Sequence, residues 1–153
     1  MRYGASHALK LPGHITLQMP FWVKENNYIL LKEHLDELTK KQYSFPVTLD
    51  GFDSFPPRVI FIKITPQDAI VQLQLALQDA LPITLFEHPK QRQTEIHPHL
   101  TVATRDLQKN IFPQAWSDFK NRAYQASFIV KELILFRHTG KVWLKEAVFQ
   151  FGN

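Results

Sequence analysis

Apolar and polar residues alternate with two different periods along this 153-residue chain, and each change of period marks a new element. Residues 13–19 alternate with period two and stop at Pro20, which predicts a strand. Residues 27–41 switch to helical spacing, with Tyr28, Leu31, Leu35 and Leu38 on one stripe and Lys32, Glu33, Asp36 and Glu37 outside it. Segments 46–52 and 58–64, separated by Asp53-Ser54-Phe55-Pro56-Pro57, read as antiparallel strands. Thr65-Pro66-Gln67-Asp68 has the form of a helix start with Thr65 as N-cap. Val71 to Leu75 also alternates like a strand, but the Ala- and Gln-rich content favours a helix to about Ala80.

Residues 82–96, carrying Pro82 and Pro89, predict the longest loop. A strand over 97–104 follows, then a short helix from near Pro113. Two last strands, about 125–137 and 142–151, join across His138-Thr139-Gly140-Lys141, a compact hairpin turn. This order predicts an α+β fold of about six strands and three helices, with an internal pseudo-repeat.

Composition narrows the class. Hydrophobic residues make up 44% of the chain, including 12 Phe and 3 Trp, enough for one domain, 1–153, built as two small lobes. With no cysteine, a disulfide framework, a thiolate zinc site and a cysteine nucleophile are excluded. The net charge of +4 favours phosphate-bearing ligands, although the basic residues are dispersed. No apolar run reaches membrane-spanning length and the first residues do not resemble a secretory signal, so a soluble, cytoplasmic protein is expected.

One four-residue pattern occurs twice, as His14-Ile15-Thr16-Leu17 and His99-Leu100-Thr101-Val102. At this composition roughly 0.08 matches are expected by chance. On an extended backbone each copy sends His and Thr to one face and the apolar pair to the other. Two such strands facing a common cleft offer two proton-transfer groups and two small hydroxyls. A neutral imidazole can take a proton from an attacking hydroxyl or water while an imidazolium protonates a leaving oxygen. Threonine hydroxyls on the same face can orient phosphoryl oxygens as charge builds.

Other residues bear on this picture. His97 shares the face of His99 and is a candidate for lining the cleft; with His14 the two could instead coordinate zinc. Against zinc, Glu95 is the only local acid. Arg105 lies just past the second motif and could reach a phosphate, and Phe21 or Trp22 could stack a base or sugar. His7, His34, His88 and His138 read as ordinary surface residues. Three readings stay open on the residues alone: a metal-independent phosphodiesterase, a noncatalytic RNA- or nucleotide-binding module, and a metal-dependent hydrolase.

The paired motifs, the first within Pro12-Gly13-His14-Ile15-Thr16-Leu17 and followed by Pro20-Phe21, resemble the two-histidine phosphoesterase superfamily, in particular its 2′-5′ RNA ligase-like branch. The stretch from Leu49 to Val59 also resembles the segment linking the motifs there. The resemblance implies a bilobal α+β fold, with two antiparallel sheets related by a pseudo-twofold axis around a central cleft. It implies cofactor-free chemistry on 2′,3′-cyclic phosphates or 2′-5′ phosphodiesters of RNA or nucleotides. Carried over by motif position, His14 and His99 are the acid/base pair, and Thr16 and Thr101 hold the phosphate. Members of that family usually carry a strand and a helix before the first motif, whereas His14 has only 13 residues ahead of it. The expectation is that this first strand and helix are missing, and that a rearranged terminus or a second copy in a homodimer covers the exposed edge.

Overall fold

The computed structural model describes residues 2–152. The chain folds as α+β, in the order α1 (Tyr28–Lys40), β1 (Phe45–Phe55), β2 (Val59–Ile64), α2 (Asp68–Ala80), β3 (Leu100–Ala103), α3 (Phe112–Phe119), β4 (Gln125–Val130), β5 (Glu132–His138) and β6 (Trp143–Gln150). Its contacts divide it into two compact units, one of residues 2–16, 47–67 and 98–128, the other of residues 17–46, 68–97 and 129–152.

The first unit is organised by a four-stranded sheet in the order β3-β2-β1-β4. β1 and β2 pair antiparallel with Phe52 opposite Ile62 and Asp53 opposite Phe61, after a bulge at residues 49–52. Gly51 sits in that bulge at φ +66°, where a side chain would be strained. One sheet face is covered by α3: Ile60 and Ala103 pack with Leu107, Phe112 and Ala115, and Tyr3, Ala5, Phe52 and Trp116 border this core.

The residues before the first motif are fastened to this unit by acidic side chains. The Asp106 carboxylate accepts the amides of Ser6 (2.5 Å) and His7 (2.6 Å). The Tyr3 hydroxyl donates to Asp118, which also pairs with Arg2 at 3.0 Å.

The second unit is built on α1, whose stripe of Leu31, Leu35 and Leu38 is buried with Leu77, Leu81, Leu85, Phe86 and Phe149. β5 and β6 form its two-stranded antiparallel sheet, with Ile134 opposite Val148 and Leu133 opposite Phe149. Their turn is the predicted one: the Thr139 amide donates to the Val142 carbonyl (2.9 Å) and Gly140 takes φ +91°.

Three sequence expectations need correction. Residues 13–19 form no continuous strand; only Ile15 is bridged, to Leu100. Beyond it, glutamine side chains replace the ladder: the Met19 amide donates to Gln93 Oε1 (2.8 Å), and the Gln18 amide group donates to the Gln91 carbonyl (2.9 Å). The buried Gln74 side chain likewise donates to the Leu17 carbonyl (3.0 Å). Thr65 is not an N-cap, because its amide remains tied to the Thr48 carbonyl of β1 (2.9 Å) and the helix begins at Asp68. The long strand over 125–137 breaks at Lys131, so that β4 joins the first sheet and β5 the second. Among the described residues the total is still six strands and three α-helices, since the strand lost at 13–19 is replaced by the split.

Candidate active site

The four motif residues come together within the first unit through a single backbone relationship. Ile15 and Leu100 form an antiparallel bridge. Carrying that register one residue each way sets His14 across from Thr101 and Thr16 across from His99. All four then project to the face opposite Ile15 and Leu100, because neighbouring residues on extended backbone alternate. Directly facing residues stand about 5 Å apart at Cβ and diagonal ones about 7–8 Å, so the two imidazoles lie on the diagonal of a small grid.

β2 extends this grid. Phe61 pairs with Thr101 and Ile62 with Leu100, which sets Lys63 level with His99. Ile60 faces the α3 core and pairs with Ala103, leaving Val102 as an extra residue in a bulge on β3. Phe61 and Lys63 therefore belong to the motif face. One row across the sheet reads Asp53, Phe61, Thr101, His14; the next reads Lys63, His99, Thr16.

The two imidazoles have different surroundings. His99 is half-buried, with its ring tilted against Phe61 at a centroid distance of 5.0 Å and edge-on to Phe55 at 5.3 Å. Phe55 and Phe61 pack on each other at 4.5 Å, so a two-ring platform supports the histidine. His14 is exposed, and its Nδ1 lies 2.8 Å from the Pro12 carbonyl. A carbonyl can only accept, so Nδ1 carries the hydrogen and the neutral ring keeps its acceptor lone pair on Nε2. Thr16 and Thr101 are both half-buried.

Phe21 is half-buried and packs against the core of the second unit, on Phe86 at a centroid distance of 4.7 Å. His97 is exposed and belongs to the second unit. Arg105 is exposed in the turn after β3, next to the Asp106 that holds Ser6 and His7. Among the described residues no three His, Asp or Glu side chains are gathered to hold a metal ion, so His14, His97 and His99 do not form the zinc set considered above. No helix among the described residues is long and apolar enough to cross a membrane.

Phe55, Phe61 and Lys63 were not singled out from the sequence. The signal was the alternation of Val59-Ile60-Phe61-Ile62-Lys63-Ile64, which pairs an aromatic and a lysine on one face. Without the neighbouring strand's register, nothing told that face apart from any other half-exposed one.

Comparison with known proteins agrees with the motifs. Residues 1–142 match the family model of the 2′-5′ RNA ligase superfamily. A Bacillus licheniformis protein named "Putative phosphoesterase" is 32% identical over 106 residues, covering 68% of this chain and 59% of that protein. One of the same kind from Geobacillus kaustophilus is 28% identical over 125 residues, covering 78% and 65%. The chain thus spans less than two thirds of the length of these two relatives. A crystal structure of the TT0787 protein of Thermus thermophilus superimposes with a TM-score of 0.66 at 19% identity, covering 93% of this chain and 81% of that one. A second, of a phosphoesterase, gives 0.60 at 18% identity, covering 92% and 78%. At such identities these structures speak for the fold alone. Matched over nearly its whole length, the chain belongs to the 2′-5′ RNA ligase superfamily, the family its paired His-x-Thr motifs resemble.

Proposed function

We propose that this chain is a metal-independent phosphodiesterase, acting on a 2′,3′-cyclic phosphate or a 2′-5′ phosphodiester of RNA or nucleotides. The observation that carries the reading is the Ile15–Leu100 bridge, whose register gives His14, Thr16, His99 and Thr101 one common face. A phosphoryl group over that face has an imidazole towards each of two opposite corners and a threonine hydroxyl towards each of the others. In hydrolysis of a cyclic phosphate, water attacks phosphorus and one imidazole takes its proton. The bond from phosphorus to one ribose oxygen breaks, and the other imidazole, as imidazolium, protonates that oxygen. The threonine hydroxyls donate to the non-bridging oxygens as negative charge accumulates. His14 works through Nε2 in either direction, since Nδ1 is committed to Pro12. The net charge of +4 favours an anionic substrate.

The test is turnover of a 2′,3′-cyclic nucleotide and of a 2′-5′-linked dinucleotide with a chelator present. The expected result is cleavage of at least one of them at an undiminished rate. Binding without turnover would point instead to a noncatalytic nucleotide-binding module, and loss of turnover on chelation to a metal-dependent hydrolase.

A further inference from the structure

Resting on that reading, we propose that Lys63 binds the phosphate adjoining the reacting one, and that the site takes an RNA end in preference to a mononucleotide. The β2–β3 register sets Lys63 level with His99 and Thr16 on the same sheet face. Its ammonium extends away from β3. A Cβ built on Gly51 of β1 would lie 3.7 Å from Lys63 Cε and 3.9 Å from Nζ, so the side chain spans the glycine of the β1 bulge. The end of the lysine thus lies over Gly51, at ordinary van der Waals distance from where a Cβ would stand.

From β3 to β1 is two strand spacings, about 9–10 Å. One end of that span holds the imidazole of His99 and the other an exposed ammonium, with the Phe55–Phe61 platform on the same face. A single cyclic nucleotide has only the reacting phosphate to offer, and needs only the first end. An oligonucleotide has a further phosphodiester one nucleotide away, which is the group an ammonium at the second end recognises. The competing anions are Asp53, in the row of Phe61, whose Oδ1 accepts the Ser54 amide at 2.7 Å, and the exposed Asp50, which precedes Gly51 in the β1 bulge and is level with Lys63.

The experiment compares wild type, Lys63→Gln and Lys63→Arg on two substrates, a 2′,3′-cyclic mononucleotide and a short oligonucleotide ending in a 2′,3′-cyclic phosphate. For Lys63→Gln, KM for the oligonucleotide should rise about fivefold more than KM for the mononucleotide, as expected for an exposed charge contact, while kcat changes little. The salt dependence of log kcat/KM for the oligonucleotide should flatten by about one unit of slope. Lys63→Arg should restore most of the affinity. An equal effect on both substrates, or no effect on the oligonucleotide, overturns the assignment of Lys63 and leaves the phosphodiesterase reading standing. Failure of the wild type to cleave either cyclic substrate overturns this inference, and failure on the 2′-5′-linked dinucleotide as well overturns the phosphodiesterase reading with it.

Discussion

Thr16 stands across from His99, one residue beyond the bridge between Ile15 and Leu100, so the first motif supplies the hydroxyl beside the second motif's imidazole. The reverse pairing sets His14 beside Thr101. Each motif thus completes the other, and the face on which the pairs lie depends on register. Exchanging neighbours, as His14→Ile with Ile15→His, keeps the composition and turns the imidazole to the opposite face. Turnover of the exchanged protein should fall to the level of His14→Ala. Retention of wild-type turnover would show that face does not matter.

The Phe55–Phe61 platform predicts a separable effect on His99. Phe55 is only half-buried, so Phe55→Leu should fold with a modest loss of stability, under about 1.5 kcal/mol. It removes the edge-on contact to His99 and should lower kcat several-fold with KM nearly constant. Steady-state kinetics beside a thermal melt separate the two effects. A kcat that follows only the loss of folded protein would reduce the ring to core packing.

Leu107, with no exposed surface, lies in the core under α3, directly behind the sheet that carries the motifs. Leu107→Ala should cost about 2–5 kcal/mol, through lost burial and the cavity left behind. Denaturant unfolding measures this; a change below about 1 kcal/mol would mean that the sheet is not held from that side.

Asp106 makes the fastening of the chain's start sensitive to acid. Burial raises its pKa, but the amides of Ser6 and His7, with further hydrogen bonds, outweigh that and hold it below the usual carboxylate value. A depressed folded pKa contributes stability that is present above the unfolded value and lost as pH falls through the folded one. The stability difference between wild type and Asp106→Ala should therefore be constant near neutrality and shrink as pH falls below about 4. Amide hydrogen exchange at Ser6 and His7 should accelerate over the same range. Exchange that is indifferent to pH, after correction for the intrinsic rate, would remove Asp106 from that role.

The alkaline side has its own marker in the second unit. Burial, and then its hydrogen bond to Glu146, push the Tyr28 hydroxyl up to about 12. A raised folded pKa contributes stability that is complete below the unfolded value near 10 and is lost as pH climbs from there through about 12. In an ultraviolet titration Tyr28 and Tyr3, the latter through its hydrogen bond to Asp118, should both ionise late, and Tyr28→Phe should remove the step near 12. If the step survives the substitution, another tyrosine is responsible.

Much of this architecture was legible in the chain itself. The stripe of Leu31, Leu35 and Leu38 marked α1, and the Gly140 turn marked the β5–β6 hairpin, because each rests on local spacing. The chemistry was legible because His-x-Thr recurs. Long-range substitution of partners was not. The side chains of Gln74, Gln91 and Gln93 satisfy the backbone after Thr16 from far along the sequence, so a segment with strand periodicity forms no strand. The break at Lys131 is equally non-local, since its carbonyl is claimed by the Phe151 amide (2.8 Å). Lys63 and the two phenylalanines gained their meaning only from the register of β2 against β3.

The most direct test of the account is the set of kcat values for wild type, His14→Ala, His99→Ala and the double variant. It is measured on a 2′,3′-cyclic nucleotide with a chelator present and with folding checked by circular dichroism. Two imidazoles working as one acid/base unit predict a fall of about 10²- to 10⁴-fold in each single variant. The double variant should fall little further than the worse single one. Wild-type turnover in either single variant would contradict the claim that both histidines act on one phosphate.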